Sequence, residues 1–494
     1  MTPARRLWKW LLRALVLAGA VLATIVLVFA FQARMRHPDL SAWHRLRLAE
    51  EFRAGGAGVD TFDDYLRLEQ RLFAELRTRV MDDPQSADPY TLSKYHSGSA
   101  PARLAFETPY NRSYELTPSD PRGAVLLVHG LSDSPYSMRA LAEIFFAQGY
   151  YVLVLRMPGH GTIPSMLCDV SWRDWYAAVV LAAKHAAART GPGRPFLAGG
   201  HSTGAALLTL YSVRALDDPS LPRPQRLYLM SPAIGISDLA VLTNIISGLS
   251  FIPWFEKSKW LDVLPEYDPY KYNSFPVNAA TQIYHVTRAL HAALAEAGSA
   301  GRLDAMPRII VFHSLVDATV ETVDVVRELL GLLPARGHEL VVFDVNRHEA
   351  LEGLIAPAPM EYLERIRNGV DLPFRITLIG NRGGDSIEIA SYSRETGGSD
   401  VQVSELPLSW PFGVFSLGHV AIPFPPDDPV YGLTPPAGGN PRFALGAFPA
   451  RGESGALMVP LGMLARLRSN PFFDVIRAKV VESCREDVVE ATAH

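Results

Sequence analysis

Continuous apolar runs alternate with amphipathic stretches along the middle of the chain. Runs typical of fully buried strands lie at 124–130, 150–161, 195–202, 226–232, 308–317 and 339–345. Helix-period stretches lie between them at 137–149, 172–189 and 203–216. Buried strands that alternate with helices predict a mostly parallel sheet covered on both faces, since only such a sheet hides both sides of each strand. The fold class expected is therefore α/β.

The N-terminal pattern is different, because residues 14–31 carry no charge and Thr24 is their only polar side chain. At about 1.5 Å per residue, this run and its flanks reach across a hydrocarbon core of about 30 Å. A basic tail, 1–13, precedes it. We predict an uncleaved transmembrane anchor at 14–34, with the catalytic body on the periplasmic or extracytoplasmic side. A cleaved signal peptide is the competing interpretation.

Composition shifts divide the remaining chain. Residues 38–100 are expected to form a helical spacer and a loop, followed by the first part of an α/β core at 101–236. An insertion is expected at 237–300 and the second part of the core at 301–484, with an extra hairpin at 373–395. The insertion is rich in aromatic residues: Phe251, Trp254, Phe255, Trp260, Tyr267, Tyr270, Tyr272 and Phe275. It is interpreted as a small core of its own, as a lid over an apolar pocket, or as both.

Composition narrows the classes of function. The 494 residues suffice for one large domain with insertions or for two domains. A net charge of −4 gives no reason to expect a nucleic-acid partner. Cys168 and Cys484 lie in no CxxC or Cys/His cluster, so no metal site is indicated. Two free thiols are the favoured interpretation, and a disulfide in an oxidising compartment is the alternative.

The motif GHSTG, residues 200–204, matches G-x-S-x-G and stands between a buried strand and a helix. In this setting the serine sits on a strained turn that points its hydroxyl out from the end of the sheet. The flanking glycines remove side chains that would collide with neighbouring backbone. The following helix directs its N–H groups towards the same place, which suits a developing oxyanion. Ser202 is therefore the candidate nucleophile.

Further motifs occur in a fixed order: HGLSDSPYSM (129–138), MPGHGT (157–162), WRDW (172–175), GHSTG (200–204) and FHSLVDATV (312–320). With these pieces, the chain resembles the α/β-hydrolase superfamily, in its monoacylglycerol-lipase-like and serine-aminopeptidase-like branch. The resemblance spans about 102–350 and is expected to continue to about 432. It implies an α/β-hydrolase fold, here with the aromatic-rich lid insertion and the N-terminal transmembrane helix.

The resemblance also implies roles for individual residues. The backbone N–H groups of Leu131 and Thr203 correspond to the oxyanion hole. Asp317 ends a buried strand, where a carboxylate can orient an imidazole. A helix N-cap is its alternative role, and Asp344 on the next strand is a rival acid. The remaining histidines of the motifs are interpreted as structural or packing residues: His129, His160 and His201.

Two histidines compete for the role of general base. His348 follows a strand about 31 residues after Asp317, where this fold usually keeps its base, but its charged surroundings indicate a solvated position. His419 lies about 100 residues after Asp317, before a segment rich in proline and aspartate. Its surroundings resemble the catalytic-histidine loop of bacterial relatives, so His419 is predicted, with 349–415 as an insertion.

The predicted function is a membrane-anchored serine hydrolase that cleaves carboxylic esters with acyl chains, such as monoacylglycerols or lysolipids, through Ser202, His419 and Asp317. No metal or organic cofactor is needed for this chemistry. The substrate is expected to be a small ester or lipid. An aminopeptidase or amidase on the same fold is one alternative, and a non-catalytic membrane-bound binding protein is another.

Overall fold

The structure is a computed structural model that describes residues 3–83, 88, 90–191, 193–235, 253–317, 319–349, 371–383, 386–434, 443–446 and 467–492. Its sheets contain strands β1 Tyr114–Leu116, β2 Ala124–Val128, β3 Tyr151–Leu155, β4 Phe196–His201, β5 Arg226–Met230, β6 Trp260–Asp262, β7 Phe275–Pro276, β8 Arg308–Ser314, β9 Glu339–Phe343, β10 Arg375–Asn381, β11 Glu388–Arg394 and β12 Val401–Ser409. Its α-helices include α1 Pro3–Arg36, α2 Ala42–Arg45, α3 Phe62–Leu76, α4 Ala100–Glu107, α5 Arg139–Ala147, α6 Trp172–Ala188, α7 Thr203–Arg214, α8 Val277–Ser299, α9 Thr322–Glu328 and α10 Phe473–Thr492.

Ten of these strands form one sheet in the order β1-β3-β2-β4-β5-β8-β9-β10-β11-β12. The strands from β3 to β10 in this order run parallel, as their uninterrupted apolar sequences predict. β1 pairs antiparallel with β3, and β11 and β12 extend the other edge antiparallel. In register, His201 faces Met230, and Met230 faces Phe312. The carboxyl ends of β4, β5 and β8 therefore meet at one edge, where open α/β sheets place their ligands.

The sheet buries a different set of side chains on each face, because successive residues of a strand point to opposite sides. Leu126 and Val128 of β2 pack in a core with α3, α6, α7 and α8. Val125 and Leu127 of the same strand pack in a second core with α5 and α10. The layers are thus helix, sheet and helix, as the α/β prediction requires.

The predicted spacer packs onto this body. Phe62 and Tyr65 of α3 belong to the larger core. Below them, the fully buried Arg156 guanidinium donates hydrogen bonds to both Glu51 and Glu69. Residues 38–83 therefore form part of the folded body.

Helix α1 covers the segment of the predicted anchor at 14–34. Among the helices that the structure describes, none combines the length and the apolar composition needed to cross a lipid bilayer. The predicted transmembrane helix therefore gains no support from the fold.

The C-terminal part of the sheet contains the hairpin expected at 373–395. β10 and β11 pair antiparallel from Ile376–Arg394 to Asn381–Ile389, and β12 adds a third strand. β12 forms the edge, and most of its side chains are exposed. Cys168 and Cys484 are not joined in a disulfide.

The insertion expected at 237–300 is described from residue 253 onward, so Phe251 lies outside the described residues. Its described aromatic side chains mostly pack into the body. Trp260 is buried against Leu40, and the Tyr270 ring stacks on Tyr136 at 3.8 Å between centroids. The Tyr272 hydroxyl donates to the Gly159 carbonyl and accepts from the Thr162 N–H. These contacts fit the core-forming interpretation.

Candidate active site

Ser202 occupies the turn between β4 and α7 with φ +52° and ψ −113°. Positive φ is costly for a residue with a Cβ, so the surrounding structure must hold this turn. The Ser202 N–H donates to the Met230 carbonyl at 2.9 Å, and the Ser202 carbonyl accepts from the Ala233 N–H at 3.1 Å. This is the strained strand-to-helix turn that the G-x-S-x-G motif predicts.

The two glycines of the motif are required by close backbone packing. A Cβ on Gly200 would lie 2.6 Å from the Ala205 nitrogen. A Cβ on Gly204 would lie 2.2 Å from the Val128 carbonyl oxygen and 2.5 Å from that of His129. No side chain fits at those distances, so glycine allows α7 to begin directly against the end of β2.

Asp317 and His419 are brought together although 102 residues separate them. His419 Nδ1 donates to Asp317 Oδ2 at 2.7 Å, with the side chains 11% and 0% exposed. The other carboxylate oxygen accepts from the backbone N–H groups of Thr319 and Val320. Asp317 thus has a fixed orientation and in turn fixes the His419 ring, which leaves Nε2 as the nitrogen available for proton transfer.

The pKa of Asp317 follows from these contacts. Burial alone would raise the pKa, but the charge and hydrogen bond of His419 outweigh it and lower the pKa of Asp317 below its ordinary value. The carboxylate is therefore ionised at neutral pH and can stabilise an imidazolium on His419.

The rival residues lie elsewhere. His348 is exposed in a short 3₁₀ turn, and its backbone N–H donates to the Asn346 side chain. Asp344 accepts from the Arg347 guanidinium at 2.9 Å and from its neighbour's N–H. Neither the exposed position of His348 nor the local pairing of Asp344 is that of a triad member.

The loop after β2 lies against the nucleophile. A Cβ on Gly130 would come within 3.3 Å of Ser202 Cβ, so Leu131 is one residue from this contact. Thr203 opens α7, where N–H groups lack intrahelical acceptors. The predicted oxyanion donors therefore flank Ser202, and their role in binding an oxyanion stays a prediction. No hydrogen bond between the Ser202 hydroxyl and His419 is present among the described residues, and such bonds often close only with substrate bound.

His201 has contacts that the packing interpretation missed. Its Nδ1 lies 3.1 Å from Asp133 Oδ2, and its Nε2 lies 3.3 Å from the His419 carbonyl oxygen. Asp133 is also paired with Lys271 Nζ at 2.7 Å. No local sequence pattern indicates this series of contacts, because Asp133, His201, Lys271 and His419 come from four separate segments.

The remaining motif histidines have structural contacts. His129 Nδ1 donates to the Gly130 carbonyl at 2.8 Å, while Nε2 accepts from the Met157 N–H at 3.0 Å. His160 lies 3.1 Å from the Pro158 carbonyl through Nδ1. Burial lowers the pKa of both rings, to about 4 for His160. They are neutral groups that join neighbouring loops.

A cavity of about 140 Å³ lies beside the residues that follow Leu131 and His419. It is lined by Ser132, Tyr267, Asp268, Lys271, Tyr272, Asn273, Val420, Phe424, Tyr431 and Arg468. Aromatic faces and a few charged groups share its wall, which is a lining typical of small-molecule sites. Within the described part of the chain, no cluster of side chains has the composition of a metal site.

Comparison with known proteins agrees with this architecture. Residues 119–353 match the family described as "Serine aminopeptidase, S33", a span that includes Ser202 and Asp317 and ends before His419. A segment of 55 residues is 46% identical to the thermostable monoacylglycerol lipase of Bacillus sp. (strain H-257). It covers 11% of this chain and 22% of that lipase, so the chain spans about a fifth of this relative's length.

Two solved lipases illustrate the structural likeness. The monoacylglycerol lipase of Paleococcus ferrophilus is 16% identical, with 47% of this chain and 89% of that chain covered at a TM-score of 0.35. A soluble variant of monoglyceride lipase from Saccharomyces cerevisiae is 15% identical, with 47% and 82% covered at a TM-score of 0.33. The fold is that of an α/β-hydrolase, and the matched segments are similar to serine hydrolases of the lipase and esterase type.

Proposed function

We propose that the protein hydrolyses carboxylic esters through Ser202, His419 and Asp317. The observation that carries the proposal is the 2.7 Å hydrogen bond from His419 Nδ1 to the buried Asp317 carboxylate. A second support is the strained turn that presents Ser202 at the same edge of the sheet. A serine on such a turn, together with an imidazole oriented by an acid, is the arrangement that nucleophilic acyl transfer needs.

In the proposed reaction, Ser202 Oγ attacks the ester carbonyl carbon while His419 Nε2 takes its proton. The N–H groups of Leu131 and Thr203 donate to the oxyanion that forms. The intermediate then expels the alcohol, which receives the proton from His419, and an acyl-enzyme remains. His419 next deprotonates a water molecule, whose attack on the acyl carbon releases the acid and restores Ser202.

Labelling with a fluorophosphonate tests the assignment, because the reagent bonds only to an activated serine. We expect labelling of the full chain, loss of labelling in Ser202→Ala, and a loss of at least about 10³-fold in His419→Ala. His348→Ala is the matched control and should label like the wild type. An unlabelled wild type would favour the non-catalytic binding protein, and loss of labelling in His348→Ala alone would assign the base to His348.

For the substrate class, we propose esters with acyl chains, such as monoacylglycerols or lysolipids. The aromatic wall formed by Tyr267, Tyr272, Phe424 and Tyr431 supports an apolar acyl or alkyl group. A series of p-nitrophenyl esters of increasing chain length tests this part, with an optimum beyond the acetate expected. Equal kcat/KM for acetate and longer chains would refute the lipid-like preference and leave ester hydrolysis intact.

Aminopeptidase or amidase activity is the second candidate, since the family matched at 119–353 is described as a serine aminopeptidase. Peptide-aminocoumarin substrates separate it from the esterase. We expect kcat/KM on these amides to fall well below that on the esters. A higher value on amides would reverse the choice.

We also propose, from the sequence, that residues 14–34 attach the protein to a membrane with its catalytic body on the extracytoplasmic side. Apolar side chains of α1, among them Leu15 and Leu17, are more than half exposed. Exposed apolar surface of this kind needs a partner. Two experiments test this proposal. Fractionation of cells that express the full chain or a variant without residues 1–36 tests whether this segment attaches the protein to the membrane. Protease treatment of spheroplasts then tests on which side of the membrane the catalytic body lies.

A further inference from the structure

We propose that Lys271, Asp133 and His201 are positioning residues that hold the loop of the general base in place. The inference rests on the proposed function, because it assumes that His419 is that base. It assigns to the insertion a role in catalytic geometry, since Lys271 belongs to the segment 237–300.

The three residues form a continuous chain of contacts. Lys271 Nζ lies 2.7 Å from Asp133 Oδ1, and Asp133 Oδ2 lies 3.1 Å from His201 Nδ1. His201 Nε2 lies 3.3 Å from the carbonyl oxygen of His419. The side chains of Lys271, Asp133 and His201 are 14%, 4% and 3% exposed, so water competes little for these bonds.

His201 contacts the backbone of His419, so this contact affects the position of the backbone from which the imidazole extends. On the β8 side, the Ser314 hydroxyl donates to the Leu417 carbonyl at 2.7 Å. The His419 ring is held by Asp317 at Nδ1. The loop is thus fixed at two carbonyls and the ring at one nitrogen. His201 directly precedes Ser202, so the same side chain links the nucleophile's turn to the base's loop.

Charge and hydrogen bonding link the three residues. The His201 ring can donate to one of its two partners as a neutral imidazole and to both as an imidazolium. Burial lowers the pKa of His201, and this effect outweighs the hydrogen bond and charge of Asp133, which raise it. Asp133 in turn depends on Lys271, which helps to lower the pKa of this buried carboxyl. Loss of Lys271 would remove the positive charge that pairs with the buried Asp133 carboxylate at 2.7 Å.

The insertion touches the oxyanion loop at a second point, next to Lys271. The Tyr272 N–H donates to the Ser132 carbonyl at 2.8 Å. The segment itself is rigid, because the Asp268 carboxylate accepts from the N–H groups of Tyr270 and Lys271. One short segment of the insertion therefore contacts two loops. It contacts the loop that carries the predicted oxyanion donor Leu131 directly, and it contacts the loop that carries His419 through Asp133 and His201.

The test compares kcat, KM and the fluorophosphonate labelling rate of full-length variants. We expect Lys271→Met to lower kcat on p-nitrophenyl butyrate by about 10- to 100-fold, as misplacement of a catalytic group by about 1 Å does, with KM changing less than threefold. Lys271→Arg should recover most of kcat. Lys257→Met is the matched control, because Lys257 lies in the same insertion, is 16% exposed, pairs with Asp39 at 3.1 Å, and should keep kcat.

A neutral pair, Lys271→Met with Asp133→Leu, separates positioning from simple stability. Removing both charges should restore the midpoint of thermal unfolding relative to either single variant, since no uncompensated charge stays buried. The positioning role predicts that kcat nevertheless stays low, because His201 has lost its carboxylate. Recovery of kcat together with stability would overturn the inference, as would a change in KM alone. A wild type without labelling or turnover would instead refute the proposed function.

Discussion

The buried guanidinium of Arg156 offers a quantitative test of how the N-terminal segment is joined to the body. Arg156 Nε donates to Glu69 at 2.6 Å, and both Nη atoms donate to Glu51 at 3.2 and 3.0 Å. Arg156 and both carboxylates are buried. Arg156→Met would leave two buried carboxylates without the guanidinium that pairs with both of them.

Breaking a buried ion pair by removing one partner costs about 3–5 kcal/mol in the free energy of unfolding. We expect a loss of this size, measured by urea unfolding of the full chain followed by tryptophan fluorescence and circular dichroism. Arg477→Met is the control, because its half-exposed pair with Asp474 is worth less than about 1 kcal/mol.

The loss of unfolding free energy in Arg156→Met should grow as the pH rises. Burial raises the pKa of Glu69, and Arg156 opposes that rise. A carboxyl whose pKa is raised by folding stabilises the folded state below its unfolded pKa and loses this contribution as pH rises through the folded pKa. Without Arg156 the pKa of Glu69 rises further, so the deficit of Arg156→Met should be largest at pH 8 and shrink towards pH 5.

Adding Glu51→Gln and Glu69→Gln to Arg156→Met should recover most of the lost stability, because no charge stays buried. A loss in Arg156→Met below about 1 kcal/mol, or a deficit equal at pH 5 and pH 8, would refute this reasoning.

Two further predictions concern the site. Gly204→Ala places a methyl 2.2 Å from the Val128 carbonyl oxygen and must push α7 away from β2, so labelling of Ser202 should slow and the free energy of unfolding should fall by about 1–3 kcal/mol. Gly383→Ala is the control, because its added methyl meets open space and its φ is not positive. Equal labelling of both variants would contradict the packing argument. Asp317→Asn should lower kcat by about 10⁴-fold. It should also make the free energy of unfolding fall less steeply at acid pH, since a carboxyl with a lowered folded pKa stabilises the folded state above its unfolded pKa and loses this contribution as pH falls. The same acid dependence of unfolding in Asp317→Asn and the wild type would contradict this prediction.

The parallel strands and the turn at Ser202 could be predicted from the sequence because their signals are local. An apolar strand such as β2 must be buried on both faces. The glycines at 200 and 204 indicate positions where backbone atoms pack too closely for a side chain. The position of Asp317 was also predictable, because it follows a buried strand within a recognisable motif, and its catalytic role stays a prediction.

The contacts of His201 could not be predicted, because its partners lie 68 and 218 residues away. Arg156, a charge within an otherwise apolar run, joins α3 to the end of β3 through Glu69, and sequence periodicity does not say which carboxylates it meets. The packing partners of the insertion could not be predicted for a similar reason, and the lid interpretation stays a prediction. Its aromatic residues signal burial, but which surface buries Trp260 or Tyr270 is decided by tertiary contacts.

The contact of Asp317 with His419 has a consequence for how the chain tolerates added length. The entropy of closing a loop grows only with the logarithm of its length, so doubling the segment between these residues would cost about 0.6 kcal/mol. The exposed turn around Gly397, between β11 and β12, is a natural place for such additions. A peptide tag or a small reporter domain grafted at that turn should therefore leave the acid and the base in register, which makes this position a practical handle for immobilising or imaging the protein.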